Sequence, residues 1–300
     1  MTISIGEQSG KQQFFKVGII GGGKVGRCLA AYLKEQGYLA GITASSREHS
    51  AALAAELGVQ PMDNIGLVKT CDVVLLTVPD RLIGTVAAAL AEELPAEVQA
   101  QEKYFFHCSG SLGLEPLAPL MALGAHCGSL HPLQSFAGGR TALQNVYMAI
   151  DGDEACRTVG TRLAKLFGGN AFCVPAAERA AYHAAACICS NYAVTVAALS
   201  QRLMSRWTGS GDAAWAALLP LFEGTAANLR RTGDAGSVLT GPISRGDVGT
   251  VRSHLAVLPK EMLQVYCSLG LETVRIALAN GTIDSETARQ LQVLLEGTEG

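Results

Sequence analysis

Hydrophobic and polar positions along the chain fall into two textures. In the first half, short runs rich in apolar and β-branched residues alternate with segments of helical spacing. The runs "FFKVGII" (14–20), "YLAGITASS" (38–46), "CDVVLLTVPD" (71–80), "KYFFHCSG" (103–110), "ALGAHCGSLHP" (122–132), "NVYMAID" (145–151) and "NAFCVP" (170–175) read as strands. The most apolar of them are nearly continuous, as expected of strands buried on both faces of a parallel sheet. Between them, Lys24–Gln36 carries apolar residues at 25, 28, 29, 32 and 33, which is helical spacing, and further helices are expected over 48–57, 81–94 and 153–167. Strand and helix in alternation predict an α/β domain with a doubly wound parallel sheet over 14–174. After Pro175 strand signals stop, and alanine- and leucine-rich helical periodicity predicts helices at about 177–206, 212–231, 247–257, 260–280 and 284–296. Residues 175–300 thus read as a second, all-α domain. Residues 1–13 are polar, lack the apolar core of a signal peptide, and read as a flexible tail.

Composition narrows the function classes. Hydrophobic residues make up 49% of the 300 and charged residues 16%, which suits a well-buried globular chain. A formal net charge of −3 shows no basic surface for nucleic acid. Nine cysteines, an odd number without a C-x-x-C pair, predict reduced thiols in a cytoplasmic protein. No histidine or carboxylate cluster has metal-ligand spacing. The longest uncharged run, between Arg179 and Arg202, contains His183, Ser190, Asn191 and Thr195, so a buried core helix is expected there in place of a membrane span.

The chemistry begins at "KVGIIGGGKVGRCLA". Gly21, Gly23 and Gly26 form G-x-G-x-x-G between a strand and a helix, the order a dinucleotide site requires. Gly21 permits the tight turn, Gly23 lets a pyrophosphate approach the backbone, and Gly26 allows close packing of helix on strand. Lys24 and Val25 open the helix whose N–H groups face that anion. The next strand ends in Ser45, Ser46 and Arg47, where an NAD site would carry an acid. Two hydroxyls and a guanidinium suit a 2′-phosphate, which favours NADP(H); the alternative is that Ser-Ser-Arg only starts a helix with an N-cap. Val78, Pro79 and Asp80, then Ser109–Ser111 and His131–Gln134, are expected on the same sheet edge, where ligands bind.

These residues carry a resemblance. "HCSGSLG", "SLHPLQSFAG", "AAYHAAACICSNY" and "LTGPISRGD" followed by "HL" together resemble the Rossmann-like proteins with a DUF2520 domain, from Phe14 to about Leu271. The N-terminal half is similar to the NADP-binding domain of pyrroline-5-carboxylate reductases, ketopantoate reductases and 3-hydroxyacid dehydrogenases. The resemblance implies a Rossmann-type sheet, a C-terminal domain like that of 6-phosphogluconate dehydrogenase, and an NADP-dependent oxidoreductase whose substrate is not defined. It also implies a homodimer through the helical domain, which long alanine-rich faces with few charges would suit.

Within that frame, His131 in "SLHPLQSF" (129–136) is expected in a loop past a strand with Gln134, where it either donates a proton to substrate or satisfies loop backbone. In "YHAAACICSN", His183, Cys187 and Asn191 fall at i, i+4 and i+8 on one helix face, with Ser190 beside them. Polar groups on so apolar a helix need partners, either a ligand or neighbouring backbone. The related hydroxyacid dehydrogenases and ketopantoate reductases place a lysine one turn before an asparagine; if Asn191 is that asparagine, the lysine position is Cys187. Proton donation is therefore assigned to a histidine, His183 ahead of His131, with Asn191 orienting a small carbonyl, hydroxy or imine substrate in an interdomain cleft. Ser109, Gln134 and Ser190 would line it, and Arg245, aimed by the rigid loop "LTGPISRGD", would hold a carboxylate; Asp247 reads as a helix cap. A catalytically silent NADP-binding sensor and a deazaflavin-linked NADP oxidoreductase are the competing readings.

Overall fold

A computed structural model describes residues 15–139 and 141–297, so the expected tail at 1–13 lies outside the described residues. Seven strands, β1 Val17–Ile20, β2 Leu39–Thr43, β3 Val73–Leu76, β4 Tyr104–His107, β5 His126–Pro132, β6 Tyr147–Gly152 and β7 Asn170–Cys173, form one sheet in the order β2-β1-β3-β4-β5-β6-β7. Helices α1 Lys24–Glu35, α2 Arg47–Leu57, α3 Asn64–Thr70, α4 Asp80–Glu93, α5 Ala118–Ala122 and α6 Glu154–Leu166 accompany it. Val17 and Ile19 of β1 join one apolar cluster with α1 and α6, while Ile20 joins another with α3, α4 and α5. Both faces are thus buried, which explains why the strands read as unbroken apolar runs. Individual helices are fixed by local chemistry: Asp153 caps α6 by accepting from Cys156 N at 2.7 Å, and Gly58 ends α2 with φ of +61°.

The all-parallel expectation needs one correction. β5 and β6 pair antiparallel, with Ser129 opposite Asp151 and His131 opposite Ala149. Among the described residues the connection between them carries no helix, so the chain does not cross over and instead doubles back. β6 and β7, joined through α6, are parallel to each other. The strand order reverses direction between β1 and β3, which puts the ligand-binding switch point at their carboxyl ends.

The chain divides into two compact units between Asn191 and Tyr192. The first holds the sheet and also α7, Arg179–Cys189. The second is helical: α8 Asn191–Thr208, α9 Gly211–Arg230, α10 Val248–Val257, α11 Lys260–Ala279 and α12 Ser285–Glu296, with Val251, Val274, Ala277 and Leu291 at its core. The single helix expected at 177–206 is broken at Ser190, whose φ and ψ of −108° and −65° interrupt the α geometry. It is not a buried core helix either. In this stretch, long and apolar enough by length and composition to cross a membrane, only Arg179 of α7 is buried and no residue of α8 is. Its alanine-rich faces find too few partners within one chain to be covered.

Candidate functional site

The glycine turn is built by close approach. Gly21 has φ of +124°, and a Cβ there would lie 2.6 Å from the Thr77 carbonyl carbon. A Cβ on Gly26 would fall 1.9 Å from the Gly21 carbonyl oxygen, which also accepts from Thr77 Oγ1 at 2.7 Å. Gly23 differs: it is the N-cap of α1, makes no side-chain capping bond, and a Cβ on it would meet nothing within 4 Å. Open space in front of uncapped helix N–H groups is the geometry that accepts a phosphate. Lys24 borders that space with Arg27, Gly138 and Gly139, whereas the Val25 side chain packs into the core, leaving its N–H in the first turn.

At the end of β2, Ser45, Ser46 and Arg47 line a groove of about 460 Å³ with Ser50, Met62 and Asn64. Ser46 accepts from His49 N at 3.1 Å and so caps α2, while Ser50 Oγ donates to Ser46 O and accepts from Ala44 N, holding the turn. Capping and groove lining coexist here: Ser46 accepts at the helix N-terminus, hydrogen-bonds the Glu48 carboxylate and still borders the groove. On the other side of the switch point Val78 and Pro79 lead into α4, whose first residue, Asp80, accepts from Ser109 Oγ at 2.6 Å and Ser111 Oγ at 3.3 Å. Ser109 is buried and wholly engaged: its Oγ also faces Ser111 N and Leu112 N, and its N–H donates to His107 Nδ1. With Nδ1 accepting, the His107 Nε2–H donates to Gly113 O at 2.8 Å, and burial pushes this imidazole down to about 4.

A cavity of about 600 Å³ opens against α7. His131, Gln134, Tyr182, His183, Ser190 and Asn191 all line it, so the structure brings the three expected catalytic side chains together. It does so within the first unit, because α7 belongs to the sheet unit. His131 is not past the strand, as expected, but within β5, one residue before its end at Pro132. Gln134 is tied to its own loop, accepting from Ser135 N and donating to Ala142 O. Arg245 lies in the second unit, in a short 3₁₀ turn Ile243–Arg245, and Asp247 caps α10 by accepting from Thr250 N at 2.9 Å.

Three residues that pattern reading missed organise the cavity. The Tyr182 hydroxyl is 2.6 Å from His131 Nδ1, with the rings nearly perpendicular and 5.6 Å apart. Burial, aided by His183 and Arg179 nearby, pushes His131 down to about 4, and burial pushes Tyr182 up to about 12, so at neutral pH both are uncharged. Gly110 lets the two imidazoles converge: a Cβ on it would lie 2.7 Å from His183 Cδ2 and 2.8 Å from His131 Nε2. Arg179, buried at the start of α7, donates to Ser129 Oγ at 2.7 Å and Ser109 O at 2.9 Å and stands 4.0 Å from Asp151, clamping the helix to the strand ends. In the sequence Tyr182 and Gly110 sat inside motifs already quoted, but Arg179 carried no signal beyond a charge before an apolar run.

Residues 16–99 match the family model "NADP oxidoreductase coenzyme F420-dependent", and 146–273 match "Domain of unknown function (DUF2520)". Each match spans less than half of the chain, so the first half resembles the one family and the second half the other. No curated protein is a significant match to it. Among solved structures, the chain shares its fold with Bacteroides fragilis BF3122, provisionally named an NADP oxidoreductase, at 17% identity and a TM-score of 0.65, covering 95% of this chain and 97% of that one. Thermotoga maritima TM1727 matches at 24% identity and 0.60, covering 95% and 100%. A Plasmodium falciparum pyrroline carboxylate reductase with NADP bound matches at 12% identity and 0.55, covering 95% and 97%. At these identities the likeness establishes the fold alone: a mostly parallel, seven-stranded sheet followed by an all-helical region.

Proposed function

We propose that this protein is an NADP(H)-dependent oxidoreductase acting on a small carbonyl, hydroxy or imine substrate in the α7 cavity. The observation that carries the reading is the open, uncapped N-terminus of α1 at Gly23, in the same unit as a cavity lined by His131, His183 and Asn191. The family model over 16–99 and the NADP in the P. falciparum reductase support it. The first turn of α1 would hold the pyrophosphate, with Lys24 beside it, and Ser45, Ser46 and Arg47 would hold the 2′-phosphate. Val78, Pro79 and Asp80 would border the cofactor at the switch point. When bound, NADP(H) supplies or accepts the hydride.

The chain's own residues do the rest. His183 moves the proton to or from the reacting oxygen or nitrogen, and Asn191 orients that group, with Ser190 and Gln134 on the cavity wall. Tyr182 donates to His131 Nδ1, which leaves the proton on Nε2 and makes His131 a neutral hydrogen-bond donor on the side of Gly110 and His183. Exposed apolar side chains on α8 and α9, including Trp207 at 72% and Leu221 at 70%, support a homodimer through these helices. Nine cysteines outside any disulfide fit a reducing compartment such as the cytoplasm.

The reading is tested by NADPH oxidation across a panel of aldehydes, ketones and imines, alongside calorimetric titration with NADPH. Turnover that His183→Gln lowers at unchanged NADPH affinity supports it. NADPH binding without turnover on any substrate favours a sensor, consistent with cysteine at the lysine position. Reduction of a deazaflavin, followed by its absorbance, favours the third reading, which the description of the matched N-terminal family suggests.

A further inference from the structure

We infer that Cys187, paired with His183, is a nucleophilic thiol site that adds reversibly to a small aldehyde in the α7 cavity. The sulfur lies 3.8 Å from His183 Nδ1, because residues four apart on a helix stand one above the other. Both side chains are half-buried and line the cavity with His131, Ser190 and Asn191. The thiolate is the reactive form of cysteine, and an imidazole in contact with the thiol can take its proton. Cys189 lines the same cavity but is exposed and turned about 200° around the helix from Cys187, so the imidazole serves one thiol and not the other. Phe172, Leu133 and Ala186 give the cavity apolar walls for a short hydrocarbon chain.

An aldehyde suits this arrangement because its carbon takes the sulfur while its oxygen needs donors. Sγ forms the new bond to the carbonyl carbon, the carbonyl π pair moves onto oxygen, and the proton taken by His183 returns to that oxygen. The product is a hemithioacetal. Atoms and charge balance without oxidant, reductant or bound cofactor, and elimination by the reverse path regenerates the free thiol. His131 and the Asn191 amide stand on the cavity wall where the oxygen develops charge. This goes beyond the oxidoreductase reading, since the addition needs no nicotinamide.

The experiment uses the full-length protein at pH 7 without NADP(H), treated with iodoacetamide and read by peptide mass mapping. Cys187 is expected to alkylate about tenfold faster than the exposed Cys189 and Cys173, and His183→Gln to bring it down to their rate. Butanal at millimolar concentration should slow alkylation of Cys187 severalfold and leave Cys189 unchanged; this arm needs no variant. Cys187 reacting no faster than Cys189, a rate ratio unmoved in a folded His183→Gln protein, or no protection by butanal would each overturn the proposal. None of these results alters NADPH affinity, so this test and that of the oxidoreductase reading fail separately.

Discussion

The Tyr182 hydroxyl and Nδ1 of His131 are 2.6 Å apart, and the pair joins the end of β5 to the first turns of α7. Burial holds both His131 and His107 down at about 4, against an ordinary value of 6.5. Between those limits the unfolded chain binds more protons than the folded one. Stability is therefore complete above pH 6.5 and falls as pH drops toward 4, by about 2 kcal/mol per histidine at pH 5. Urea unfolding at pH 7 and pH 5 checks this: His107→Gln or His131→Gln should each shrink the difference by about that amount. In Tyr182→Phe, nitrogen NMR of His131 should show its fixed tautomer become a mixture; an unchanged tautomer would mean that Tyr182 only packs.

Gly110→Ala puts a methyl group where the His131 and His183 rings meet. Forced separation of packed rings costs about 1–3 kcal/mol, and activity in the NADPH assay should fall more than tenfold. Affinity for NADPH should hold, because Gly110 lies outside the α1 turn. Full activity would remove the imidazole pair from the site.

The cofactor site gives a pair of substitutions with opposite logic. Gly23→Val adds a side chain in open space, so the melting temperature should scarcely change while NADPH affinity falls at least tenfold. Arg47→Asp should weaken NADPH by roughly tenfold to a hundredfold and leave NADH nearly untouched, reversing the preference. Calorimetry reads both, and equal NADPH and NADH affinities in the unmodified protein would refute the 2′-phosphate assignment.

Arg179→Met removes a buried charge that holds Ser109 and Ser129 and faces Asp151. The loss should be about 3 kcal/mol in denaturant unfolding, since Asp151 and the Ser109 carbonyl lose their partner. A loss below 1 kcal/mol would mean that α7 is held by its other contacts.

Assembly is checked by sedimentation at micromolar concentration, where a dimer is expected. Trp207→Glu with Leu221→Glu should yield monomers, because both side chains are exposed in the single chain and a charge in an apolar interface is costly. A monomer in the unmodified protein would contradict the expectation.

The sequence by itself determined the local chemistry: which runs are strands, where the glycine turn lies, and which residues stand at carboxyl ends. Those features follow from period, burial and backbone sterics within a few residues, so Gly21, Gly26 and the caps Ser46 and Asp247 were all legible. The polar positions His183 and Asn191 were legible too, although the single helix expected to carry both is broken at Ser190 and they line one cavity from α7 and the start of α8. What only the tertiary structure decided is everything set by contacts between distant segments. The antiparallel turn into β6 depends on a connection without a helix, which apolar period does not encode. α7 belongs to the sheet unit, where Arg179 at its start is clamped to Ser109 and Ser129, residues 70 and 50 positions away, and the break at Ser190 follows from no local signal. The pairing of Tyr182 with His131, 51 positions apart, and the room that Gly110 leaves for two imidazoles, exist only once β4, β5 and α7 are packed. Such contacts fix tautomer and charge through burial, and burial is a property of the folded chain rather than of any stretch of it.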